Sequence, residues 1–137
     1  MTDTQTNAAT RMGFRTGQIV HEVGYDDDAD QGLRDSITDA TGRGLLAADG
    51  DELPDAVLLW HRGHDDQDLA DVLGDLAAQL ADGGMIWLCT PVSGRPGSVE
   101  RDDLADATAT AGLTTVESFP AAPGWAGTRL ANPRTPR

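Results

Sequence analysis

The sequence contains no lysine: all ten of its basic residues are arginine. That bias, with abundant Ala, Gly, Asp and Val, is the codon usage of a GC-rich genome and points to a high-GC bacterium, with a halophile as the second option. The only cysteine, Cys89, excludes a disulfide within the chain, and its apolar neighbours mark it as a buried structural thiol. No apolar run nears the roughly 20 residues of a membrane span. Residues 1–12 lack the apolar core of a signal peptide, so a cytoplasmic protein without membrane association is expected. Positive charge is scarce overall, and the net charge is −13. Residues 24–82 hold sixteen acids and three Arg, which accounts for all of it. An extended basic footprint for nucleic acid is therefore excluded. The acidic half either keeps the chain soluble or meets a basic partner protein.

What is present suits one ordinary domain. The 137 residues are 39% apolar with three Trp, enough to bury a core. Residues 1–12, polar and small, read as a disordered tail, residues 13–131 as a single Rossmann-like domain, and residues 132–137 as a frayed tail. A first strand is expected over 18–23 and a helix from about Asp30 to Ala40, with Asp28 or Asp30 as N-cap and Gly42 as the stop. Leu45–Ala48 reads as a short strand. Ala56–Trp60 and Met85–Cys89 are continuous apolar runs of strand length, as in a sheet covered on both faces. Between them Leu69, Val72, Leu73, Leu76, Ala77 and Leu80 fall on one helical stripe, with Asp71 and Asp75 off it. Ser98 is expected to cap a helix over about Val99–Ala111, closed by Gly112. Thr114–Phe119 and Gly127–Ala131 read as two closing strands. This alternation predicts an α/β fold: a three-layer Rossmann-like sandwich, its sheet mostly parallel with an antiparallel C-terminal pair.

In such a sheet ligands collect beyond the carboxyl ends of the strands, where loops 25–30, 61–66 and 90–98 emerge. In the first loop only Gly24 is available for close backbone approach, and phosphate would face Asp26, Asp27 and Asp28. Nor does an acid clearly end a second strand to hold a ribose. Tyr25 and Asp26 remain ligand candidates, while the aspartates are more simply N-terminal helix charges. Asp26, Asp28 and Asp30 alternate like the start of an EF-hand, but Gln31 and Ile37 stand where that loop needs Gly and Glu. His61 and His64 are weak metal candidates without a third fixed ligand, and exposed loop residues are the simpler reading. The third loop offers hydroxyls at Thr90, Ser93 and Ser98, flexible Gly94 and Gly97, a cation at Arg95 and a helix N-terminus. Together these can hold a small anionic ligand, such as a phosphate or carboxylate. The plainer alternative is a Pro/Gly crossover whose Arg95 pairs with the acidic loops. His21 reads as a packed strand residue and Trp125 as partly exposed. Neither Gly-x-Ser-x-Gly nor a Walker loop occurs.

The run Leu80 to Pro91, followed by a helix ending at Ala111-Gly112-Leu113, resembles the later half of a class I methyltransferase domain, over residues 56–131. A tighter likeness lies in Gly17–Asp26, Ala56–Trp60, Thr90–Gly97 and Trp125–Leu130. Over residues 12–131 these are similar to the actinobacterial domain-of-unknown-function family 3052, short acidic proteins without an established reaction. The expectation is a non-catalytic binding or regulatory domain that needs no cofactor and has a protein partner. The alternative is a methyltransferase-related enzyme with an altered cofactor pocket. A third option is an acidic decoy for a nucleic-acid-binding surface.

Overall fold

The computed structural model of the chain describes residues 8–47, 53–63, 68–80 and 84–131. Ten elements follow in order: α1 (Ala8–Arg11), β1 (Val20–Val23), α2 (Gln31–Thr41), β2 (Leu46–Ala47), β3 (Ala56–Trp60), α3 (Leu69–Gln79), β4 (Met85–Pro91), α4 (Arg101–Thr110), β5 (Thr114–Ala122) and β6 (Trp125–Ala131). The strands form one six-stranded sheet in the order β2-β1-β3-β4-β6-β5. The β1–β2, β1–β3 and β3–β4 pairings are parallel, whereas β6 runs antiparallel to both β4 and β5. The sheet is thus mixed, and the expected parallel character holds for one side of it. The other side is antiparallel because β6 inserts between β4 and β5, so the closing pair does not simply extend the sheet.

Both faces of the sheet are covered. Along β3 and β4, alternate residues point to opposite sides, which is why every residue of both strands is buried. Leu58, Trp60, Trp87 and Cys89 pack with Leu33 and Ile37 of α2 and with Met12 and Phe14. Val57, Leu59, Ile86 and Leu88 pack with Leu69, Leu73 and Leu76 of α3, and Leu104 and Ala107 of α4 adjoin them. Helix α2 starts where Asp30 accepts the Leu33 N–H at 2.8 Å and ends at Gly42, whose φ of 76° closes the last turn. Helix α3 is capped by Asp68, whose carboxylate accepts the Asp71 N–H.

Four expectations are corrected. Ala8–Arg11, read as part of a disordered tail, form α1, and Met12 beyond them is fully buried, its carbonyl accepting the Trp87 indole N–H at 2.9 Å. Helix α4 begins at Arg101 with Glu100 in the cap position, so Ser98 is not its cap. The closing strands run on through Pro120–Ala122 and Trp125–Ala126, which leaves a tight turn at Pro123-Gly124. Trp125 is buried rather than partly exposed. Residues 1–7, 48–52, 64–67, 81–83 and 132–137, which include His64, Asp65, Asp66, the expected strand end at Ala48 and the frayed tail, lie outside the described residues. Among the described residues no helix is long and apolar enough to cross a membrane.

Candidate functional site

The direction of crossover reverses at β1. From β1 the chain goes to β2 on one side and then returns to β3 on the other, so the crevice that an open α/β sheet offers a ligand lies between the ends of β1 and β3. A side chain of the protein itself fills that crevice. Arg62, two residues past β3 and buried, donates from Nη1 to the Gly24 carbonyl at 2.8 Å and to the Trp60 carbonyl at 3.3 Å. Its Nε donates to Asp28 Oδ2 at 3.1 Å, and Nη2 closes a second contact to Asp28 Oδ1, so the carboxylate is gripped in two places. The guanidinium lies 5.4 Å from the centre of the Trp125 ring. Trp125 in turn meets Trp60 edge-on at 4.9 Å and donates its indole N–H to the Asp28 carbonyl at 3.2 Å. The hydrogen bond from Arg62, helped by its charge and that of Arg95, holds the Asp28 carboxyl below its ordinary range.

Gly24 shows how tightly this end is closed. Its φ is 82°, and a Cβ at that position would drive into the Trp60 carbonyl oxygen. The glycine that sequence reasoning offered to a ligand is required for contact between the protein's own strands. A second polar tie lies behind it. Glu22 accepts from Arg34 Nε at 2.7 Å and Nη2 at 2.8 Å, and from the Trp60 indole N–H at 2.9 Å. Tyr25, half-exposed, lies under the Arg34 guanidinium at 4.3 Å. Asp26 accepts the Asp27 N–H and, through its carbonyl, the Ala29 N–H, so it shapes the turn.

The third loop, read either as an anion cradle or as a plain Pro/Gly crossover, is built of turns. Val92–Ser98 forms two successive turns, in which the Arg95 N–H donates to the Val92 carbonyl and the Ser98 N–H to the Arg95 carbonyl. The Ser98 amide is therefore engaged. The first turn of α4 carries Asp102 and Asp103, which oppose an anion there. Ser93, Gly94, Arg95 and Ser98 are exposed, Gly97 is partly covered, and Thr90 is buried. Arg95 lies across Gly124, where a Cβ would meet its guanidinium, and among the described residues it forms no ion pair. Tyr25 and Asp26 are thus tied to the closed end, whereas Thr90, Ser93 and Ser98 line a cleft on the far side of α4. His61 is buried, contrary to the exposed position expected, because it follows directly on β3 and its N–H donates to the Cys89 carbonyl at 2.9 Å. Among the described residues no group of three metal-ligating side chains comes together. His21 is packed as expected, and burial pushes the Cys89 thiol up to about 12.

Two clefts open nearby. One, of about 770 Å³, lies between the starts of α3 and α4 and is lined by Asp68, Glu100, Asp103 and Asp106. The other, of about 1100 Å³, lies between α4 and the β4–β6–β5 side of the sheet. Neither is lined by any residue of 24–30. Sequence reasoning missed Arg62 and Trp125 as partners. The available signal was that Arg62 is one of three cations in a stretch with sixteen acids and directly follows a buried strand.

Comparison with known proteins places the fold. A chain in the complex between the Haloferax volcanii Trm112 methyltransferase activator and the putative methyltransferase matches with a TM-score of 0.65 at 15% identity, over 93% of this chain and 88% of that one. A SAM dependent methyltransferase from Aquifex aeolicus matches with a TM-score of 0.62 at 10% identity, over 90% and 87%. The chain spans about half the length of other matched structures, such as the mitomycin 7-O-methyltransferase MmcR, of which it covers 50%. At these identities the likeness is one of fold. In sequence the chain is 40% identical over 133 residues to an uncharacterized protein of Mycobacterium tuberculosis and to one of Mycobacterium bovis, covering 97% of this chain and 83% of each relative. The family model described as Protein of unknown function (DUF3052) matches residues 9–134, and the chain belongs to that family.

Proposed function

We propose that this chain is a non-catalytic binding domain, a methyltransferase-type fold whose cofactor end is closed by its own side chains. The observation that carries the reading is Arg62, which occupies the crevice between β1 and β3 and bonds both strand ends and Asp28. Adenosylmethionine fits this end poorly. The glycine that would admit it packs against the Trp60 carbonyl, and the Arg62 guanidinium takes up the space beside it. The segment just after β2, where an acid would grip a ribose, lies outside the described residues. Binding would then use the opposite side of α4. A docked protein partner is in keeping with this, since one chain of the same fold comes from a complex with an activator protein.

The second reading, a methyltransferase-related enzyme with an altered pocket, is favoured by the fold matches. Calorimetric titration with adenosylmethionine and with NAD separates the two. The binding-domain reading expects neither ligand to bind more tightly than millimolar. A micromolar constant for adenosylmethionine would favour the enzyme.

A further inference from the structure

The larger cleft has a floor that the fold does not satisfy. Thr90 of β4 and Thr128 of β6 are each more than nine-tenths buried and line it. The register pairs Leu88 with Thr128 and Thr90 with Ala126, which places the two threonines as diagonal neighbours on one face. That face is apolar as far as Leu88 and Leu130, under the cover of α3 and α4, and changes to hydroxyls where the cover ends. Neither hydroxyl has a hydrogen-bond partner among the described residues, unlike Thr41 and Thr108, whose hydroxyls bond carbonyls one helical turn back. A buried hydroxyl needs a partner, so two side by side on a cleft floor are served by water or by whatever displaces it from the cleft.

The surroundings define what can enter. Val92, Leu104 and Ala126 supply apolar walls. No charged side chain lies on the floor, while Glu100 and Arg101 stand exposed at the mouth with opposite signs. Delivering a charge to a floor that offers only hydroxyls would leave it desolvated without a counterion. The net charge of −13 further disfavours an anion. We infer that the cleft between α4 and β4–β6 binds an uncharged small molecule, with an apolar body against Leu104 and a hydroxyl or carbonyl oxygen bonded to Thr90 and Thr128. This rests on the binding-domain reading and names the ligand class for it.

The test uses para-propylphenol as the neutral probe and para-propylbenzoate as its charged counterpart, followed by amide chemical-shift mapping on the intact chain. Para-propylphenol is expected to move the amides of Thr90, Leu104, Ala126 and Thr128, and the benzoate to move them far less. The Thr90→Val, Thr128→Val double variant keeps the shape and removes both hydroxyls. It is expected to weaken the phenol by about tenfold, the scale of two lost neutral hydrogen bonds, and to melt higher than wild type. Absence of shifts at millimolar phenol, shifts confined to another face, tighter binding of the benzoate, or unchanged affinity in the double variant would each overturn the proposal. A parallel adenosylmethionine titration keeps the two failures apart. Binding at residues 24–30 would defeat the binding-domain reading, and a silent cleft would defeat this inference alone.

Discussion

Replacing Arg62 with alanine removes the group that joins four pieces of the chain. Its guanidinium bonds the carbonyls that end β1 and β3, grips Asp28, and packs on Trp125. Breaking a buried pair costs about 3–5 kcal/mol when the remaining charge stays buried. Here the Asp28 side chain is 47% exposed and regains water once freed, which reduces the loss. The Gly24 and Trp60 carbonyls lose donors and Trp125 loses its cover. The expected cost of Arg62→Ala is about 2–4 kcal/mol. Asp28→Ala removes the carboxylate that faces the buried cation and should cost about 1–3 kcal/mol. Because both variants remove the same contact, the double variant should fall short of the sum by about 1–3 kcal/mol. Urea denaturation of the four proteins, followed by Trp fluorescence, measures the cycle. Additivity within about 0.5 kcal/mol, or an Arg62→Ala cost of that size, would show that the closure is not held as described.

Gly24→Ala should cost more than 2 kcal/mol, since it adds strain at φ 82° to a collision with the Trp60 carbonyl; a loss below about 0.5 kcal/mol in the same denaturation assay would place the two strand ends further apart. Leu73→Ala, at a fully buried position of α3, should cost about 2–5 kcal/mol. Asp75→Ala on the exposed face should cost under about 0.5 kcal/mol, and equal losses would mean that the helical face is misassigned. Cys89, with its thiol raised to about 12, should be inert to a disulfide reagent at mildly alkaline pH and should react fully once the chain is unfolded. Asp28 has a folded carboxyl pKa lowered from 3.8, so its contribution is fully present above that value and is lost as pH falls through the folded value. The stability gap between wild type and Asp28→Asn should be level at neutral pH and shrink only below about pH 4; a gap that changes around pH 6–7 would assign the coupling to another group.

Much of the framework was legible because it rests on local signals. The continuous apolar runs of β3 and β4, the stripe on α3, and Asp30 and Gly42 at the ends of α2 report burial and capping within a few residues. The insertion of β6 between β4 and β5 was not legible, since strand order depends on long-range pairing that no local pattern encodes. Arg62 and Asp28 are 34 residues apart and Trp125 and Asp28 are 97 apart, so no spacing rule joins them. Trp125 lay between Pro and Gly, which suggested exposure, yet the turn at Pro123-Gly124 aims it back over Trp60. Ser98 looked like a cap on composition, but it closes the second of two loop turns and α4 begins only at Arg101. In the candidate site, Thr90 was named as part of a loop. Its chemical interest comes from Thr128 beside it, which only the β4–β6 register reveals.

On the binding-domain reading, Arg62 rather than a cofactor occupies the crevice between β1 and β3. The Arg62 side-chain Nε–H resonance reports on this directly, because its hydrogen bond to Asp28 slows its exchange with water. The signal should be visible in wild type, disappear in Asp28→Ala, and keep its position as adenosylmethionine is added to millimolar concentration. A resonance that moves with a micromolar midpoint would mean that the latch yields to the cofactor and that the closed end is an active site.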